Sequence, residues 1–352
     1  MQFRAAHTID SAIEGGLTAA VSCSGTASAE GTGSRYNRSS DQVGGWRMRR
    51  FFLYSGVLWA VLLVVSGSAI ASGRARSPNT VLLVGVDHET SGLYTDLLLV
   101  DIVTCERVPL PLLAINDSVA WSPDGTQIAF LSTMTGSQAV HTADWTGTNS
   151  VRRTWDFTTN THLAYNPDGR SLAFTAATDS EYDLVRLDLE TGDETVLTPA
   201  GSVEMSPAWT PDGAQIIHVA SGGGHFHIAA LDVATGDSTV LVDLDGRWVF
   251  EPQVSPDGSR IAFFSSNNNY SDYRLHVVDR DGAPLWEQTI TQDLSEYVLG
   301  LRWSPDGQWI GYLRYSGGLS RLIVTAADGS GIEQPIGCLP RAPIAFTWKQ
   351  GR

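Results

Sequence analysis

Ala120-Trp121-Ser122-Pro123-Asp124-Gly125, followed two residues on by Gln127-Ile128-Ala129-Phe130-Leu131-Ser132, decides how this chain is read. Ser122-Pro123-Asp124-Gly125 has the composition of a type I turn. Ser is favoured first, Pro second because its ring presets φ, and Gly fourth because it accepts the left-handed conformation. The turn joins a strand ending in Trp121 to a strand carrying Ile128, Ala129 and Phe130. Its aspartate is therefore a turn-former and not a catalytic candidate.

The same frame recurs. Pro-Asp-Gly starts at Pro123, Pro167, Pro211, Pro256 and Pro305, at intervals of 44, 44, 45 and 49 residues. The preceding strands read AY, AW, QV and RW at Ala164, Ala208, Gln253 and Arg302, and the following strands read SLAFTA, QIIHVA, RIAFFS and WIGYLR. A third β-like run ends at Asp144, Asp188, Asp232 and Asp279. Turns such as Glu190-Thr191-Gly192-Asp193 and Ala234-Thr235-Gly236-Asp237 lead into a fourth. Each repeat thus predicts a four-stranded antiparallel meander of propeller-blade size.

Counting repeats predicts how the ring closes. Five motifs make five blades, whereas Val81 to Leu112 holds only three strands, with Thr95–Asp101 matching the third strand of the others. Ile344-Ala345-Phe346-Thr347-Trp348 matches the missing innermost strand. The C-terminal strand is expected to complete the first blade, giving an all-β, six-bladed β-propeller with no open sheet edge.

These motifs resemble the TolB-like, WD-repeat-like β-propellers, over residues 78–352. The resemblance implies a protein-binding scaffold; related propellers also precede catalytic domains. Neither a separate N-terminal α/β domain nor a hydrolase domain after the propeller is expected.

The N-terminal part reads differently. Residues 1–47 are rich in Gly, Ser, Ala and Thr without a sustained period, and read as a disordered or mis-started extension. Residues 48–71 combine Met48-Arg49-Arg50, an apolar run from Phe51 to Val65, and small residues ending at Ala69 and Ala71. This is the pattern of a secretory signal peptide or, uncleaved over 51–71, a membrane anchor. Both readings put the propeller outside the cytoplasm, periplasmic, secreted or tethered.

Composition removes other classes. The net charge is −15, so neither nucleic-acid phosphates nor an anionic lipid surface is an expected partner. No Gly-x-Ser-x-Gly, Walker loop, dinucleotide fingerprint or His-Glu-x-x-His occurs, and no cofactor is expected. His218, His225 and His227 cluster around Gly222-Gly223-Gly224, with His218 expected to face His227 across a hairpin loop of Ser221 to Gly224. His218 holds the slot of Phe130, Phe174, Phe263 and Tyr312, so it reads as packing and no metal site is expected.

Loops entering the innermost strands converge on one mouth of a propeller. There the chain offers Asp117, His162, Glu204, Glu251 and Arg341 as candidate ligand-binding residues. The expected partner is a protein or peptide, with Tyr270, Tyr273 and Tyr297 as an exposed aromatic patch on blade-connecting turns. The alternative is a hydrolase or lyase acting on a carbohydrate or lactone through the mouth. Cys105 aligns with Gly192 in a third-to-fourth-strand turn, while Cys338 precedes the last inner strand. Full-length strands would hold the two at opposite ends, roughly 15–20 Å apart, so two free or buried thiols are expected.

Overall fold

A computed structural model describes residues 81–349, apart from 88–94, 115–117, 133–137, 156–157, 178–181, 199–201, 332 and 340–342. The segments 1–47 and 48–71, together with Asp117 and Arg341, lie outside the described residues.

Each Pro-Asp-Gly turn closes as its chemistry requires. The Gly125 amide donates to Ser122 O (2.9 Å), the Ser122 hydroxyl donates to Asp124 Oδ1 (2.7 Å), and Gly125 has φ +68°. Asp124 and Asp212 are held below the ordinary carboxylate value, first by the hydroxyl that opens the turn and then by the backbone amide two residues on. Asp257 is pushed down to about 2, chiefly by the Ser255 hydroxyl and then the Ser259 amide.

Five sheets follow the chain in order. The second sheet is β4 (Val119–Trp121), β5 (Gln127–Ser132), β6 (Ala139–Asp144) and β7 (Val151–Arg152). The third is β8 (Thr158–Tyr165), β9 (Ser171–Ala177), β10 (Tyr182–Asp188) and β11 (Glu194–Val196), and the fourth is β12 (Glu204–Trp209), β13 (Gln215–Gly222), β14 (His225–Asp232) and β15 (Ser238–Val242). The fifth is β16 (Arg247–Val254), β17 (Arg260–Asn267), β18 (Tyr273–Asp279) and β19 (Pro284–Thr291), and the sixth is β20 (Tyr297–Trp303), β21 (Trp309–Ser316), β22 (Leu319–Ala326) and β23 (Glu333–Pro335). The first sheet draws on both ends of the chain. Its order is β24 (Pro343–Trp348), β1 (Val81–Asp87), β2 (Thr95–Asp101) and β3 (Arg107–Ala114), with Leu82 opposite Trp348. The fold is an all-β propeller of four-stranded antiparallel blades.

The core lies between sheets. Val100, Leu313, Leu322, Val324, Phe346 and Trp348 form one buried cluster that joins the first sheet to the sixth. Leu97, Leu99, Trp121, Ile128, Phe130 and Ala345 form another, joining the first to the second. Burial of each Val, Leu, Ile or Phe side chain here contributes about 1.5–3 kcal/mol. Gly311 on β21 makes room for the closing strand, since a Cβ there would meet the Phe346 ring at 2.9 Å.

Two expectations are corrected. The fourth-sheet hairpin turns at Gly223-Gly224, with Gly222 opposite His225, so His218 faces Ala229 and not His227. Cys105 and Cys338 are not separate thiols but form a disulfide, with Cα atoms 5.1 Å apart. The expected separation assumed a full-length outer strand. In fact β23 pairs only with Ile323–Thr325, and the Ile336 amide makes the last bond, to Leu322 O (2.9 Å). The chain leaves the sheet half-way along and passes the β2–β3 turn, where Arg107 Nε donates to Cys338 O (2.6 Å).

Candidate functional site

Four innermost strands share a bulge three residues before their last residue. His162 (φ +62°), Ser206 (+57°), Glu251 (+51°) and Gly300 (+71°) take the left-handed conformation there, and the pairing register shifts at each. Only Gly adopts this conformation cheaply; a bulge re-aims its side chain and frees backbone groups. The freed amides bind neighbouring sheets. His162 N donates to Ser118 Oγ (2.7 Å), Ser206 N to Thr175 Oγ1 (3.1 Å), and Leu301 N to Glu251 Oε2 (2.8 Å).

The bulges bring together residues from sheets that are not neighbours in the chain. His162 Nε2 lies 3.8 Å from Glu251 Oε1, joining the third sheet to the fifth. Burial opposes ionisation of Glu251. The His162 ring, the Leu301 amide and Arg302 outweigh it and hold the carboxyl below its ordinary value. His162 and Arg302 also line a cavity of about 320 Å³, walled by Trp121, Tyr165, Trp209 and Trp303 and reaching Pro123, Pro167, Pro211 and Pro256 of the Pro-Asp-Gly turns.

Of the five residues expected at the mouth, the structure therefore brings His162 and Glu251 together, within strands and not on entering loops. Glu204, at the start of β12, is buried and accepts the Ser202 hydroxyl (2.5 Å).

The aromatic patch is also rearranged. Tyr270 is at the tip of the β17–β18 hairpin, half-exposed, and its ring joins Trp248 (6.1 Å), which in turn meets Phe226 (5.0 Å). Tyr273 is the first residue of β18 and is buried edge-on against Phe250, while Tyr297 opens β20 and stacks on Tyr315 at 4.4 Å. None of the three is on a blade-connecting turn. Hairpin tips and sheet-to-sheet connections on this entry face also expose Trp155, Leu294 and Leu319. Arg152 lies over the Trp155 ring at 4.5 Å. Sequence reasoning missed Trp155, Phe226 and Trp248 because they lie outside the repeat frame; the available signal was a large apolar residue at a loop or strand-entry position.

Ser265, His276 and Glu287 form a serine–histidine–carboxylate line across the fifth sheet, at 2.7 Å and 3.5 Å. Ser265 has no exposed surface and accepts Arg247 Nε (2.8 Å), so the line is a structural network and not a nucleophile site. No group of three or more metal-ligating side chains occurs among the described residues.

A family model described as "TolB beta propeller domain" matches residues 75–271. No curated protein sequence matches the chain. Among solved structures, TolB from Acinetobacter baumannii is similar with a TM-score of 0.63 and 21% identity, over 77% of this chain and 67% of that one. A nidogen/laminin complex chain is similar at TM-score 0.59 and 9% identity, over 77% and 99%. An oligogalacturonate lyase in complex with manganese is similar at TM-score 0.48 and 17% identity, over 72% of each chain.

Proposed function

The chain belongs to the TolB β-propeller family, and from that premise we propose that it is an exported, non-enzymatic module that docks a protein partner. In this reading residues 78–352 form a six-bladed ring sealed by β24. Segment 48–71 is a signal peptide or tether that delivers the ring outside the cytoplasm, and 1–47 is an extension without its own fold.

The observation that carries the reading is the apolar character of the entry face. Phe226, Trp248 and Tyr270 form a continuous aromatic row, and Trp155, Leu294 and Leu319 are exposed beside hairpins and connections of the same face. Tyr, Trp and Arg dominate binding energy at protein interfaces, and exposed apolar patches mark docking sites. Asp117, His162, Glu204, Glu251 and Arg341 would then shape the centre of the surface. The test is capture of partners by the secreted protein, followed by the same capture with Trp248→Ala and Trp155→Ala. Loss of the same captured protein in both variants, with unchanged thermal unfolding, supports docking at this face. Undiminished capture refutes it.

A second reading, a carbohydrate or lactone hydrolase or lyase, is favoured by the His162–Glu251 pair beside a cavity. It requires that Glu251→Gln abolish turnover while leaving partner capture intact.

A further inference from the structure

We propose that the Cys105–Cys338 disulfide is a redox clasp on the closing strand, making the domain stable only where a disulfide oxidant acts. The proposal does not depend on which partner docks.

The turn itself argues for it. In the third and fourth sheets the third-to-fourth-strand turn opens on Asp188 or Asp232, whose carboxylate accepts two amides, and closes on Gly192 or Gly236 with φ +80° and +78°. The first sheet repeats this turn. Asp101 Oδ1 accepts the amides of Val103 and Thr104, but the glycine position is Cys105, at φ +58°. A side chain in that conformation costs energy that glycine avoids. Turn chemistry gives no reason for cysteine there, whereas the bond to Cys338 does.

The partner's position argues the same way. Cys338 is buried five residues before β24, where β23 has already left its sheet, and packs with Val100, Phe346 and Trp348. The bond spans 233 residues of sequence and ties the approach to β24 onto the sheet that β24 completes. The hydroxyls of Ser320 and Tyr315 donate to Pro343 O, but the indole stitches of the other sheets are missing at this seam. Trp209 and Trp303 donate their indole N–H to Ala164 O and Gln253 O of the preceding sheet, whereas Trp121 Nε1 and Trp348 Nε1 are buried without a partner.

In forming the clasp, the two thiols give two electrons and two protons to an incoming disulfide, from a thiol oxidoreductase or a small disulfide. That disulfide leaves as two thiols, and reduction is the reverse exchange.

Lys349, the single lysine of the sequence, reports the state of the strand, because it follows β24 and lies over Trp145 (5.4 Å) and Trp121 (6.0 Å). The experiment uses the full chain purified without reductant. Peptide mapping should recover Cys105 linked to Cys338, and an amine-acylating reagent should modify Lys349 roughly tenfold faster after reduction, as release of a local cross-link implies. Cys105→Gly separates this from a turn effect. It restores the glycine of the sister turns and should stabilise the domain if Cys105 serves only the turn. As a clasp residue, its loss instead gives the fast Lys349 labelling of the reduced chain, now without reductant. Separately alkylated cysteines in the unreduced chain, or slow Lys349 labelling in Cys105→Gly, would overturn the proposal.

Discussion

The fifth sheet and the first have the same four-stranded architecture but are held by different means. In the fifth, β16–β19 follow one another through local turns, and the sheet is stitched to the sixth by polar contacts. Trp303 Nε1 donates to Gln253 O (3.0 Å), and Arg260 stacks on Trp303 while donating to Ala327 O and Gly307 O. In the first, the innermost strand arrives from the far end of the chain. Its indole N–H at Trp348 is unpartnered, and a disulfide, a lysine over two indoles and buried apolar side chains act beside the hydroxyl bonds of Ser320 and Tyr315 to Pro343 O. A strand joined by a short turn pays little loop-closure entropy. One recruited from more than two hundred residues away must be held by contacts and a covalent cross-link that offset a larger cost.

The largest effect separating the two regions is expected at Phe346. Phe346→Ala should destabilise the domain by about 3–5 kcal/mol in urea unfolding and speed Lys349 labelling. Phe264→Ala, equally buried in the fifth sheet, should cost as much without selectively freeing Lys349. Equal labelling in the two variants would erase the distinction.

Acidification should act the other way, on the contiguous sheets. His218 and His276 are both pushed down to about 4, first by burial. The unfolded chain takes up protons near its ordinary histidine pKa while the folded chain resists until pH 4. Their contribution is thus complete above about pH 6.5 and is lost as pH falls towards 4, at about 1.4 kcal/mol per pH unit per histidine. Hydrogen exchange at pH 5 against pH 7.5 should show β13 and β18 losing protection before β1 and β24.

Gly311→Ala should cost about 1–3 kcal/mol by crowding Phe346, read as a lowered urea midpoint with faster Lys349 labelling. The smallest effect tests the stitches. Trp303→Phe removes a made hydrogen bond and strands Gln253 O, about 1–2 kcal/mol beyond the loss of ring size. Trp348→Phe removes an unpartnered donor and should show only the size term. Equal losses in urea unfolding would mean that the indole bond contributes nothing.

Much of this was legible in the residues. Turn formers at fixed spacing located the hairpins, the aspartates at the ends of β6, β10, β14 and β18 marked the next turns, and the match of Ile344–Trp348 to inner strands located the partner of β1. The candidate site was less legible. His162 and Glu251 were singled out as entering-loop residues, but their meeting depends on two left-handed bulges that strand periodicity does not reveal. The disulfide was misjudged because it depends on where β23 stops pairing, a property of the sheet edge near Pro335.

By itself, then, the order of residues determined the repeating unit and its turns, because a turn is governed by side chains within about half a dozen positions of one another. Only the tertiary structure decided that Cys105 meets Cys338 and that His162 meets Glu251. Those encounters are set by the path of connections and the aim of bulged strands, to which residues from several sheets contribute at once.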